Sequence, residues 1–198
     1  RHLRLALFTK GNTEVSWSII RRLSLESNLD LLVFSFEPDV DPRFSRPLGY
    51  LATRARILYR SIVFRESHPV LEVPTRGYEQ YKISSFQDEN ILSRLDIFKP
   101  DIIAINGTKK VPSEFIARAK LAINLHHGHV PFYRGVSSVD WVTLERNFNY
   151  YYVTVHLATE HLDKGDVVSA ERLIPYFSEP YSLFKRRLGL LGASVLVS

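Results

Sequence analysis

The chain has 198 residues, 45% hydrophobic and 24% charged, a balance that describes one compact soluble domain. It contains no cysteine, which removes disulfides, thiolate nucleophiles and cysteine-based zinc or iron–sulfur sites, and no apolar run approaches the roughly 20 residues that span a bilayer. The net charge of +5, carried mostly by arginine, favours anionic ligands such as phosphates but is too small to point to nucleic acid.

Leu3 to Phe8 reads as a buried strand, the turn Gly11-Asn12-Thr13 leads into a helix with Val15, Ile19, Ile20 and Leu23 on one face, and Leu31 to Phe36 reads as a second buried strand. A strand, helix, strand unit with short connections predicts a parallel sheet with a right-handed crossover. Pro38, Pro42, Pro47 and Gly49 break regular structure before an expected helix from Tyr50, whose Arg54, Arg56, Arg60 and Arg65 read as a solvated face. Lys82 to Phe86 reads as a short strand, and Ile91, Leu92, Leu95 and Phe98 as a helix stopped by Pro100. Asp101 to Asn106 is expected to be a third buried strand, Ser113 to Lys120 a helix capped by Ser113, and Ala122 to Leu125 a fourth strand. Tyr151 to Leu157, read as a strand with an exposed face, and Val167 to Ile174 form a late antiparallel part, followed by a closing helix from Ser182. No dinucleotide-binding glycine fingerprint and no repeat is present. The expected fold class is α/β, a mostly parallel twisted Rossmann-like sheet flanked by helices with a C-terminal antiparallel addition.

Two polar segments stand out. Asn124-Leu125-His126-His127-Gly128-His129 begins at the C-terminal end of a buried parallel strand, where open α/β sheets place their ligands, and Glu160-His161-Leu162-Asp163-Lys164-Gly165 forms a turn between two later strands. An imidazole titrating near neutrality at His126 can exchange a proton with an attacking amine, a carboxylate at Asp163 can orient it, and the Asn124 amide can donate to a developing oxyanion.

Asn124-x-His126, followed by Pro131-x-Tyr133-Arg134-Gly135 and then Leu162-Asp163-x-Gly165, resembles the folate-dependent formyltransferases, and Pro100 to Thr108 resembles the strand that precedes their folate loop. The resemblance implies Asn124, His126 and Asp163 as a catalytic trio acting on N10-formyltetrahydrofolate. It further implies a folate site lined by Gly107, Lys110, Val111, Pro112, Thr159, Glu160, His161 and Leu162, with Tyr133, Arg134 and Gly135 nearer the acceptor. Residues 1–198 would then be one catalytic domain whose closing helix looks cut off at Ser198. The segment Lys10-Gly11-Asn12-Thr13-Glu14 keeps only one glycine, unlike the phosphate loop of glycinamide ribonucleotide formyltransferases, and the chain leaves no room for a tRNA-contacting domain. Gly128, two places after His126, is closer to the sugar N-formyltransferase branch, so the expected acceptor is an amino sugar on a nucleotide. Glycinamide ribonucleotide, hydroxyornithine or methionyl-tRNA as acceptor, and a ligand-binding domain without activity, are the alternatives. The expected partners are folate and a small acceptor amine in a cytoplasmic homodimer, with no metal, membrane or nucleic acid.

The remaining polar and aromatic residues have plainer readings. His127 and His129 supply loop polarity or a substrate contact, His156 packs or forms a hydrogen bond, Arg134 buttresses its loop, and Trp141 packs beneath the catalytic turn with Tyr150, Tyr151 and Tyr152 in the core.

Overall fold

A computed structural model describes residues 2–11, 13–36, 77–159 and 161–198, all within a unit formed by residues 1–37 and 74–198. The helix expected from Tyr50 and its arginines, and the residues Asn12 and Glu160, lie outside the described residues. In chain order the described elements are β1 (Leu3–Lys10), α1 (Glu14–Leu23), β2 (Leu29–Phe36), β3 (Tyr78–Ile83), α2 (Glu89–Phe98), β4 (Ile102–Asn106), α3 (Ser113–Ile116), β5 (Leu121–His126), α4 (Ser138–Leu144), β6 (Tyr152–Leu157), β7 (Val167–Arg172) and α5 (Tyr181–Val197).

The seven strands form one sheet in the order β3-β2-β1-β4-β5-β6-β7, parallel from β3 to β5 and antiparallel at β5/β6 and β6/β7. The apolar runs that mark β1, β2 and β4 suit strands covered on both faces. Side chains alternate across each strand. On one face Phe8, Phe34, Phe36, Ile103 and Ile105 join Ile91 and Leu95 of α2 and Phe115 of α3 in a buried cluster. On the other face α5 packs against α1 and the sheet: a Cβ on Gly189 would lie 2.7 Å from the Val15 carbonyl, and one on Gly192 would lie 2.9 Å from Leu125.

The helix ends follow local chemistry. Thr13 accepts from the Ser16 N–H at 3.1 Å and starts α1, while Asp88 accepts from the Asn90 N–H at 3.0 Å and starts α2. Lys99 in the left-handed region, followed by Pro100, ends α2. Three expectations need correction. The strand expected at Lys82 to Phe86 runs instead from Tyr78 to Ile83, where parallel pairing with Leu31 to Phe36 of β2 fixes it, and Phe86 lies beyond its end. Ser113 is the first residue of α3 with Pro112 at the cap position, and that helix ends at Ile116, because the segment to Lys120 turns to enter β5 while Arg118 pairs with Asp96 and Lys120 with Asp101. β6 does not present an exposed face: Val153, Thr154, Val155 and His156 are all buried, because the chain after β5 folds over the face carrying Thr154 and His156.

β1 leads outward to β2 and β3, and β4 leads the opposite way to β5. The sheet therefore reverses between β1 and β4, and loops diverge there at the strands' C-terminal ends.

Candidate active site

A cleft of about 390 Å³ opens at that rim, within the usual size of a small-molecule site. Asn124, His126 and Asp163 meet in it. β5 carries Asn124 and His126 on one side of the strand, and antiparallel pairing sets Asn124 opposite His156 of β6. Asp163 comes from the turn after β6, where its φ of 48° suits an aspartate better than a branched residue. Two residues on, Gly165 passes so close to the Leu157 carbonyl that no side chain fits there.

Asp163 is the hub. Its Oδ1 accepts from Asn124 Nδ2 at 2.9 Å and lies 3.2 Å from His156 Nε2, while its Oδ2 accepts from the Gly135 N–H at 2.7 Å and lies 3.5 Å from His126 Nδ1. Burial pushes the Asp163 carboxyl up, but the His156 bond, the His126 charge and the Gly135 N–H together hold it below its ordinary value. The group is an anion at neutral pH although only 3% exposed.

His126 donates through Nε2 to the Tyr133 carbonyl at 2.8 Å, with the Ser138 hydroxyl 3.3 Å from the same nitrogen. Burial lowers its pKa, against the opposing pull of Asp163 and the Tyr133 bond, so the resting ring is neutral and can accept a proton at Nδ1. Gly128 makes this geometry possible, because a Cβ there would lie 2.6 Å from His126 Nε2 and 2.7 Å from the Tyr133 oxygen. The Thr154 hydroxyl donates to the Gly128 carbonyl at 2.7 Å and tethers the same loop to β6.

Gly107, Lys110, Val111, Thr159, His161, Leu162 and Gly135 also line the cleft. Pro112, Tyr133 and Arg134 do not. Tyr133 and Arg134 border a shallower depression with Phe132 and Trp141, and what Tyr133 offers the cleft is its backbone carbonyl. Trp141 does not pack beneath the turn: Val139 and Val142 take the buried side of α4, which leaves Trp141 53% exposed. His129 stacks on Phe132, and of the three consecutive tyrosines Tyr151 alone is buried.

The burial and hydrogen bonding expected of His156 are both seen, but that its partner is Asp163, at 3.2 Å, escaped the sequence reading, as did two further features. The short helix α4 places Ser138 beside His126. Lys10, Asp140, Tyr181 and Lys185 also line the cleft, and there Tyr181 donates to Asp140 and the Lys185 ammonium sits 4.6 Å above the Tyr181 ring.

Comparison with known proteins agrees with this architecture. Phosphoribosylglycinamide formyltransferase from Streptococcus pneumoniae TIGR4 superposes with a TM-score of 0.61 at 16% identity, covering 98% of this chain and 94% of that one, and a sugar N-formyltransferase from Shewanella sp FDAARGOS_354 with 0.57 at 15%, covering 98% and 67%. In sequence, GDP-perosamine N-formyltransferase from Brucella melitensis is 34% identical over 98 residues, 46% of this chain and 36% of that protein. Methionyl-tRNA formyltransferase from Methylacidiphilum infernorum is 26% identical over 125 residues, 60% of this chain and 39% of that protein. The matched stretches thus span little more than a third of these relatives. The family model described as formyl transferase matches residues 53–176, more than half of the sequence, and the chain belongs to the formyl transferase family.

Proposed function

We propose that this unit transfers the formyl group of N10-formyltetrahydrofolate to an amino group, and that the amine is carried by a nucleotide-linked sugar. The observation that carries the reading is the convergence of Asn124, His126 and Asp163 at one end of a cleft, with a neutral imidazole 3.5 Å from a buried carboxylate. Gly107, Lys110, Val111, Thr159, His161 and Leu162 line the cleft and suit the folate, and Lys10 and Lys185, which line the same cleft, suit an acceptor with an anionic handle.

In this reading the acceptor nitrogen attacks the formyl carbon and gives up a proton as the carbon becomes tetrahedral. Neutral His126 takes that proton, directly or through one water, and its new charge is balanced by Asp163. Asn124 Nδ2 donates to Asp163 Oδ1 at 2.9 Å and lies 3.1 Å from His156 Nε2, so it donates to the oxyanion by exchanging one of these partners. Collapse of the intermediate breaks the bond from carbon to N10, and His126 returns the proton to that nitrogen.

The sugar acceptor draws support from the relative named GDP-perosamine N-formyltransferase and from the single glycine in the turn after β1. The test is release of tetrahydrofolate from N10-formyltetrahydrofolate against GDP-perosamine, glycinamide ribonucleotide, hydroxyornithine and methionyl-tRNA. Turnover with the sugar nucleotide supports the reading, and turnover only with another amine reassigns the acceptor. No turnover, together with no calorimetric binding of 5-formyltetrahydrofolate, overturns formyl transfer.

A further inference from the structure

The shallower depression bordered by Tyr133 and Arg134 has a volume of about 350 Å³, the scale of a small-molecule site. Tyr133 turns its carbonyl to His126 and its side chain to this depression, and Ser138 borders both the depression and the cleft. Besides Tyr133, three rings line it. Phe132 stacks on His129 at 5.2 Å and is still 65% exposed, Tyr150 meets Phe132 edge-on at 5.5 Å, and the Trp141 indole has no ring partner among the described residues. Trp141 and Glu145 are four residues apart, so α4 and its cap present them on one face. The polar groups have a fixed sense. The Tyr133 hydroxyl donates to Glu145 Oε2 at 2.5 Å and therefore accepts from Asn147 Nδ2 at 3.1 Å. That leaves Glu145 Oε1 and Asn147 Oδ1 as acceptors with no partner among the described residues, and Arg134, the cation that lines the depression, has none among them either.

We propose that this depression is a nucleotide site that takes a base carrying an exocyclic amine, with the base stacked on Trp141, its amine donating to Glu145 Oε1 or Asn147 Oδ1, and its phosphate paired with Arg134. Each part of such a ligand answers a group on the page. A large aromatic face left in water beside polar groups marks a binding surface, and a planar base covers it whatever its edge pattern. The two free acceptors then select the edge, because they take an amine hydrogen and repel a carbonyl oxygen at the same place. The guanidinium adds a charge-assisted bond to phosphate. A pyranose has no π face to offer the indole, and without a phosphate it leaves the guanidinium unused. The site is independent of the formyl-transfer reading, since none of Asn124, His126 and Asp163 lines it.

The test is calorimetric titration of the full chain with GMP, CMP, UMP and glucose 1-phosphate. GMP and CMP should bind at least about fivefold more tightly than UMP, whose ring has no exocyclic amine, and than the sugar phosphate, the scale of one lost hydrogen bond. Trp141→Ala should weaken GMP about 5- to 100-fold, and Trp141→Phe should restore most of the loss. Arg134→Ala should remove most of the advantage of GMP over guanosine. Tryptophan fluorescence should be quenched by GMP in the wild-type chain and not in Trp141→Phe, where Trp17 is the remaining indole. A loss of affinity on Lys185→Ala and not on Trp141→Ala would move the nucleotide to the cleft and overturn the site. Equal binding of UMP would overturn the amine, equal binding of glucose 1-phosphate would overturn the base, and no binding of any of the four at millimolar concentration would overturn the whole. Formyl transfer, read from tetrahydrofolate release, stands or falls separately.

Discussion

On the β6 side of the cleft, Asn124, His126, His156 and Asp163 satisfy one another closely, and both carboxylate oxygens of Asp163 are engaged. On the β1 side, the run from Thr9 through Asn106 to His127 ends on a nitrogen with no hydrogen-bond partner among the described residues. The two networks start from adjacent residues of one strand end, and alternation of side chains sends them to opposite faces of the sheet. The closed network holds the His126 imidazole in one orientation. The open one stores an unmet hydrogen bond.

Removing the centre of the closed network breaks the contrast most directly. His126→Ala should leave the fold and folate binding in place and lower kcat by at least about 10²-fold, the usual scale for a proton-transfer group; near-normal turnover would mean the wrong imidazole was chosen. Asp163→Asn should lower kcat about 10- to 100-fold, because the imidazolium formed in the reaction loses its balancing charge. The same change should push the His126 pKa further down, since Asp163 opposes the effect of burial, and an NMR titration of the ring would show it. Because the folded Asp163 pKa lies below 3.8, the stability it contributes is present above that value and is lost as pH falls through the folded pKa, a loss Asp163→Asn should lack. Gly128→Ala, which pushes a methyl to within 2.6 Å of His126 Nε2, should cost about tenfold in kcat through misplacement of the ring.

The open network is probed most gently by acid. Unfolded His127 titrates near 6.5 and the folded residue near 3, so between those values the unfolded chain binds a proton that the folded chain refuses. Stability present above 6.5 should therefore fall toward pH 3 with a slope of up to about 1.4 kcal/mol per pH unit for that proton. His127→Phe should flatten this part of the curve, as urea midpoints at pH 7 and pH 4.5 would reveal. Parallel curves for the two proteins would show that His127 is not refusing the proton.

Much of the sheet was legible in the sequence because β1, β2, β4 and β5 are apolar runs that only a two-sided core explains. The candidate site was legible to the extent that it is local: Asn124 and His126 share one strand end, and the turn before Gly165 marks Asp163. What could not be read depends on contacts distant in sequence. His156 meets Asp163 through strand register, and α4 has only two buried apolar residues, Val139 and Val142, too few to show a helical period. β6 looked half exposed because the segment that covers Thr154 belongs to the preceding loop, whose path no periodicity records.

The loop between β5 and α4 is held from outside along its length: the Thr154 hydroxyl bonds the Gly128 carbonyl and the Val130 N–H, His126 Nε2 bonds the Tyr133 carbonyl, and the Asp163 carboxylate bonds the Gly135 N–H. Between these anchors, Phe132 and Arg134 are exposed. Side-chain replacement at those two positions can therefore remodel the rim while the backbone that orients His126 stays in place.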